Sequence, residues 1–98
     1  MSPIKYSNAA ILDIKRLHDF LAKKDITIAK RAISIIRTEL QKIATFPERF
    51  RPVEDMIYHR EAIIEFWNSG YVARFRHLPN GEIIIIRIKH QLENNNPE

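Results

Sequence analysis

Residues 60–90, REAIIEFWNSGYVARFRHLPNGEIIIIRIKH, constrain the fold more than any other stretch of this chain. They spell three β-strands in succession, joined by two tight turns. Ile63, Ile64, Phe66 and Trp67 fall in the first strand, Tyr71, Val72 and Phe75 in the second, and Ile83 to Ile86 with Ile88 in the third. β-Branched and aromatic side chains suit a pleated, half-buried surface. Leu78-Pro79-Asn80-Gly81 links the last two strands. Proline presets φ at the first corner, and Asn80 and Gly81 tolerate the left-handed backbone of a hairpin. Asn68-Ser69-Gly70 makes the other reversal.

Upstream of this meander the period changes from two to 3.6. Pro3 to Tyr6 reads as a short edge strand, and Asn8 as the N-cap of a first helix carrying Ala10, Ile14, Leu17 and Leu21 on one face. Lys15, Arg16, Asp19 and Lys23 fall elsewhere and stay wet. After the break Lys23-Lys24-Asp25, either Asp25 or Thr27 caps a second helix with the stripe Ala29, Ala32, Ile33, Ile36, Leu40 and Ile43. Ile28 and Ile35 lie off that stripe, so this helix has more apolar surface than one sheet face buries. Pro47 drives Phe46 out of helical conformation and ends it. So short a connection makes the pair an antiparallel hairpin. Residues 46–59, with two prolines, form an ordered connection without a clear period. The chain is therefore expected to be α+β, in the order β-α-α-β-β-β, with the helical hairpin on one face of a mainly antiparallel sheet. Residues 1–92 are expected to form one domain and 93–98 a flexible tail.

Strand alternation sorts the charges. Val72, Arg74 and Arg76 share one side of the second strand, and Tyr71, Ala73, Phe75 and His77 the other. In the third strand Ile83, Ile85, Arg87 and Lys89 lie opposite Ile84, Ile86, Ile88 and His90. Taking Ala73, Phe75, Ile84, Ile86 and Ile88 as the core-facing set leaves Arg74, Arg76, Arg87 and Lys89 on the open face, around Val72, Ile83 and Ile85. Guanidinium groups on such a face suit phosphate or carboxylate. Equally, the face can be a solvated one with Glu61, Glu65 and Glu82 as counter-charges.

Composition narrows the function. The 98 residues are 45% hydrophobic and 29% charged, as in an ordinary globular domain. The net charge of +4 favours an acidic protein, nucleic acid or nucleoprotein partner. There is no cysteine, no apolar run long enough to cross a bilayer and no secretory pattern at the N-terminus, which points to a cytoplasmic protein without membrane association. His18, His59, His77 and His90 lack metal-ligand spacing. His90, at the end of the last strand beside the arginines, is the one candidate acid or base. No nucleophile elbow is present, and two glycines cannot build a phosphate loop, so neither a metal nor a nucleotide cofactor is expected.

Three segments carry a family resemblance. FPERFRPVED after the second helix resembles a P-E-x-x-R-P-V pattern; Arg60-Glu61-Ala62-Ile63 opens the next strand and leads to Gly70-Tyr71; the last strand ends Ile86-Arg87-Ile88-Lys89-His90. In this order and spacing they resemble the RelE/ParE superfamily of toxins from bacterial type II toxin–antitoxin modules, over residues 3 to about 92. The superfamily divides into ribosome-dependent mRNA endonucleases and inhibitors of DNA gyrase. The nuclease branch has basic residues seven and five positions before the glycine of Gly-Tyr, an Arg after the Tyr, and an Arg and a Tyr near the C-terminus. Here those places hold Ile63, Glu65, Val72 and Gln91, with no tyrosine beyond Tyr71. Cleavage by a 2′-hydroxyl needs cations on the phosphate and a group to move protons. The resemblance therefore points to the ParE-like branch.

That branch implies a plasmid-stabilising toxin that arrests growth by binding DNA gyrase and is neutralised by a cognate acidic antitoxin. It would reach operator DNA only through the antitoxin, either as a toxin dimer or in a larger hetero-oligomer. Target binding is expected at Arg60, Arg74, Arg76, Arg87, Lys89 and His90, and antitoxin binding at Ile28 and Ile35. The alternatives are an mRNA endonuclease using Arg74, Arg76, Arg87 and His90, and a non-toxic relative that acts only in the antitoxin complex and in operon repression.

Overall fold

A computed structural model of the chain describes residues 4–66 and 69–91. Strand β1 (Ile4–Tyr6) is followed by helices α1 (Asn8–Ala22) and α2 (Ile26–Ile43), a 3-10 turn at Pro47–Arg49, and strands β2 (Arg51–Pro52), β3 (His59–Phe66), β4 (Ser69–His77) and β5 (Ile83–His90). The sheet order is β1-β5-β4-β3-β2; β1 runs parallel to β5 and the other neighbours are antiparallel. This is the expected α+β architecture with β1 at an edge. One strand is added, the two-residue β2, too short and proline-bound to leave a period in the sequence. Trp67, Asn68, Pro3 and the tail lie outside the described residues, and Ser69 and Gly70 belong to β4 rather than to a turn.

The helices bury the faces that their spacing marks. Ala10 and Leu17 of α1, and Ala32, Ile36, Leu40 and Ile43 of α2, form one core with Ala62, Ile64, Tyr71, Ala73 and Phe75 of the sheet. Asp25 caps α2, accepting from the N–H groups of Thr27 and Ile28. At α1 the cap is Ser7 and not Asn8, because Ser7 has two tasks. Its Oγ accepts from the Ala10 N–H at 3.0 Å and donates to the Ile86 carbonyl at 2.8 Å, fastening the helix start to β5. Between β4 and β5 the Gly81 N–H donates to the Leu78 carbonyl at 2.9 Å. Only Gly81 takes the left-handed conformation there (φ 91°), while the Asn80 side chain accepts from the Glu82 N–H.

The expected facing of β5 is half right. Ile83 and Ile85, not Ile84 and Ile86, enter the core, at 1% and 0% exposed, yet Ile88 is also buried and Arg87 and Lys89 stay on the open side. A β-bulge reconciles these facts: Phe75 pairs with Ile85 and Arg74 with Arg87, so Ile86 faces no partner residue. One extra residue reverses the facing of all that follows. The open face is thus ranged around Val72, Ile84 and Ile86.

Candidate functional site

Cross-strand pairing sets the rows of the open face. Ile63, Val72 and Lys89 make one row and Glu61, Arg74 and Arg87 the next; Arg76 follows, between His59 and Ile84. At the end of the sheet where β5 finishes, Val72, Arg74, Arg87 and Lys89 enclose a pocket of about 610 Å³ with Glu61, His90 and Gln91. Four of the residues expected to act together, Arg74, Arg87, Lys89 and His90, are therefore brought together. The Gly70 carbonyl accepts from the Gln91 N–H at 2.8 Å, and a Cβ on Gly70 would run into the Gln91 amide, so glycine leaves that side chain its place at the pocket rim.

Both pocket arginines are held by carboxylates. Arg74 donates through Nη2 (2.7 Å) and Nε (3.2 Å) to Glu61 Oε2, while Arg51 donates to Oε1 at 3.0 Å. The Arg74 hydrogen bonds pull the Glu61 carboxyl below its ordinary pKa; partial burial opposes them and Arg51 reinforces them. Arg87 donates through Nε (2.8 Å) and Nη2 (3.2 Å) to Asp13, a buried residue of α1 that also accepts from the Ile88 N–H at 2.8 Å and from Arg16 at 3.2 Å. Burial alone would raise the Asp13 pKa. The bonds from Arg87, Ile88 and Arg16 together outweigh it, and the carboxyl lies below its usual value. Two arginines share each carboxylate, so the pocket stays positive, and among the described residues Lys89 has no carboxylate partner.

The remaining expected residues lie apart. Arg60 is on the core side of β3, and its Nη1 donates to the carbonyls of Glu48 (3.1 Å) and Phe50 (2.7 Å), pinning the 3-10 turn. Arg76 is half-buried, with its Nε enclosed and unbonded among the described residues. His90, by contrast, belongs to the pocket group and packs edge-on to Tyr71, with ring centroids 5.2 Å apart. Ile28 and Ile35 are partly buried against the core. No group of His, Asp and Glu among the described residues could hold a metal ion. Sequence reasoning passed over Asp13 and treated Glu61 as a generic counter-charge. Asp13 leaves a legible trace, since it sits between Ala10 and Leu17 on the buried face of α1, where only a satisfied carboxylate is tolerated.

Comparison with known proteins adds an independent line. The family model described as "ParE toxin of type II toxin-antitoxin system, parDE" matches residues 4–95. A solved structure titled "Chromosomal ParDE TA system from P. aeruginosa" superposes with a TM-score of 0.74 at 21% identity, over 91% of this chain and 95% of that one. No curated protein sequence matches significantly.

Proposed function

The chain belongs to the ParE toxin family of type II toxin–antitoxin systems, and from that membership we propose that it arrests growth by binding DNA gyrase and is neutralised by a cognate acidic antitoxin. The toxin acts in the cytoplasm as a single domain of residues 1–92, with 93–98 as its tail. It reaches operator DNA only through the antitoxin. The observation that best supports binding over cleavage is the make-up of the pocket. Val72 and Gln91 stand in its wall where the nuclease branch has basic residues, and Arg74 and Arg87 are engaged by Glu61 and Asp13. A guanidinium anchored in this way can orient toward a partner's carboxylate or phosphate. It is poorly placed to follow charge developing on a scissile phosphate. Lys89, lacking a counter-charge, is the residue expected to contribute most to target affinity.

The test is expression without antitoxin, followed by a supercoiling assay with purified toxin and gyrase. Filamentation, DNA damage and loss of supercoiling are expected. Rapid loss of translation with transcripts cut at ribosomal A-site codons would favour the nuclease reading. Normal growth with intact antitoxin binding would favour a partner-only role.

A further inference from the structure

We propose that the loop between β2 and β3, residues 53–58, is a preformed knob by which this chain grips its protein target; this deepens the reading that the target is DNA gyrase and rests on it. Three consecutive large apolar side chains stand at the tip of that loop. Met56 is 40% exposed, Ile57 73% and Tyr58 44%, and none of them joins the core. Methionine and tyrosine, together with arginine, are the residue types that protein interfaces concentrate. Backbone geometry is the second observation. Among the described residues only Asp55 (φ 65°) and Tyr58 (φ 66°) are non-glycine residues in the left-handed region, and both lie in this loop. Tyrosine seldom adopts that conformation, so the fold holds it there against local preference. Hydrogen bonds across the base of the loop do the holding. The Val53 N–H donates to the His59 carbonyl at 2.9 Å, and the His59 N–H to the Met56 carbonyl at 3.1 Å. The His77 N–H of β4 donates to the Tyr58 carbonyl at 2.8 Å, and His59 Nδ1 to the Ile57 carbonyl at 2.8 Å. A loop fixed in this way presents its side chains without being ordered at the moment of binding.

Placement is the third observation. Met56 Sδ lies 3.6 Å from Arg74 Nη1, so the loop borders the open face at the wall of the Lys89 pocket. Arg76, paired across the strands with His59 at the foot of the loop, has an enclosed, unbonded Nε and no carboxylate partner among the described residues. The seven residues lining the pocket fall short of the roughly 20–30 on each side that a stable protein interface uses. One partner surface that spans pocket and loop supplies the difference, with an apolar socket for Ile57 and Tyr58 and a carboxylate toward Arg76. Glu54 and Asp55, exposed at the shoulder of the loop, repel a phosphodiester backbone and so select a protein. They also disfavour a second copy of this chain, because pairing knob to knob would bring four carboxylates together.

The test measures binding of the purified chain to immobilised gyrase and inhibition of supercoiling, with calorimetry against the acidic product of the adjacent reading frame as a parallel readout. Ile57→Ser, Ile57→Asp and Tyr58→Asn are compared with Leu12→Gln, which removes a similarly exposed apolar side chain (64%) from α1. Circular dichroism and melting curves check that each variant is folded. Asparagine suits φ near 66°, so Tyr58→Asn should melt no lower than wild type yet bind gyrase about ten-fold more weakly or worse. Both Ile57 variants should lose at least as much affinity, while Leu12→Gln should bind as the wild type does. Wild-type gyrase affinity in folded Tyr58→Asn and Ile57→Ser overturns the placement and leaves gyrase as the target. Loss of affinity for the acidic partner alone, or a self-association that only the loop variants abolish, overturns it in favour of that occupant. A wild-type chain that binds the acidic partner but not gyrase overturns the underlying reading, and the placement with it.

Discussion

Asp13 offers the sharpest quantitative test of how helix and sheet are joined. Its side chain is 5% exposed, and it accepts from the Ile88 N–H at a point of β5 beyond the reach of the three-residue β1. Asp13→Ala removes that acceptor and strands a buried N–H, which costs about 1–3 kcal/mol. Arg87 and Arg16 also lose a partner, but their side chains are 46% and 42% exposed and turn to water, so each adds only a few tenths of a kcal/mol, in the manner of surface pairs. The expected total is about 2–3 kcal/mol. In a domain of this size that lowers Tm by roughly 10–20 °C. Asp13→Asn keeps an oxygen for the Ile88 N–H and should cost about half as much. The pH dependence has a definite sign. Because the folded-state pKa is depressed, the stabilisation is complete above the ordinary Asp value near 4 and is lost as pH falls through the folded value. Denaturant and thermal melts at pH 7 and near pH 3 should therefore show the wild type approaching Asp13→Asn at the acid end. Asp13→Ala within about half a kcal/mol of wild type would refute the reasoning, as would equal losses for Ala and Asn.

Other substitutions separate stability from function. Arg87→Ala should be measurably destabilising, by about 1 kcal/mol or more, because it leaves the buried Asp13 short of a partner; a toxicity assay on that variant needs its melting curve alongside. Lys89→Ala should melt like wild type and lose gyrase inhibition; full inhibition would move the target contact off this face. Gly81→Ala, forced to adopt φ near 91°, should cost about 1–2 kcal/mol, read from the denaturation midpoint. Glu61→Gln should weaken acid sensitivity on the same sign argument, since its depressed pKa contributes above the ordinary Glu value and is lost below it.

How much of this was legible depends on whether local pattern or long-range geometry decided the outcome. The helical stripes are local, and Leu17, Ile36, Leu40 and Ile43 are buried as their spacing requires. In β4 a clean alternation of Arg74 and Arg76 with Ala73 and Phe75 fixes the face without ambiguity. In β5 four consecutive isoleucines, Ile83 to Ile86, give both faces the same hydrophobicity, so nothing in the strand itself pins its register. What pins it is distant in sequence. Ser7 engages the carbonyl of the bulged Ile86, and Asp13 engages the N–H of Ile88, with α1 fixed alongside the edge that β1 leaves open. No window of neighbouring residues contains that information.

The same distinction governs how charge is read. Arginines concentrated in the meander draw attention to the sheet, but a cation contributes to surface potential only to the extent that no carboxylate is held against it. Glu61 stands between Arg51 and Arg74, and Asp13 crosses from α1 to meet Arg87; neither partnership is visible without the fold. On the hairpin the opposite holds. Lys30 and Arg37 look like ordinary solvated helix residues, yet with the nearby carboxylates already occupied they stand uncompensated beside an apolar groove. The target proposed for the Lys89 end of the sheet therefore meets arginines that carboxylates already hold in place.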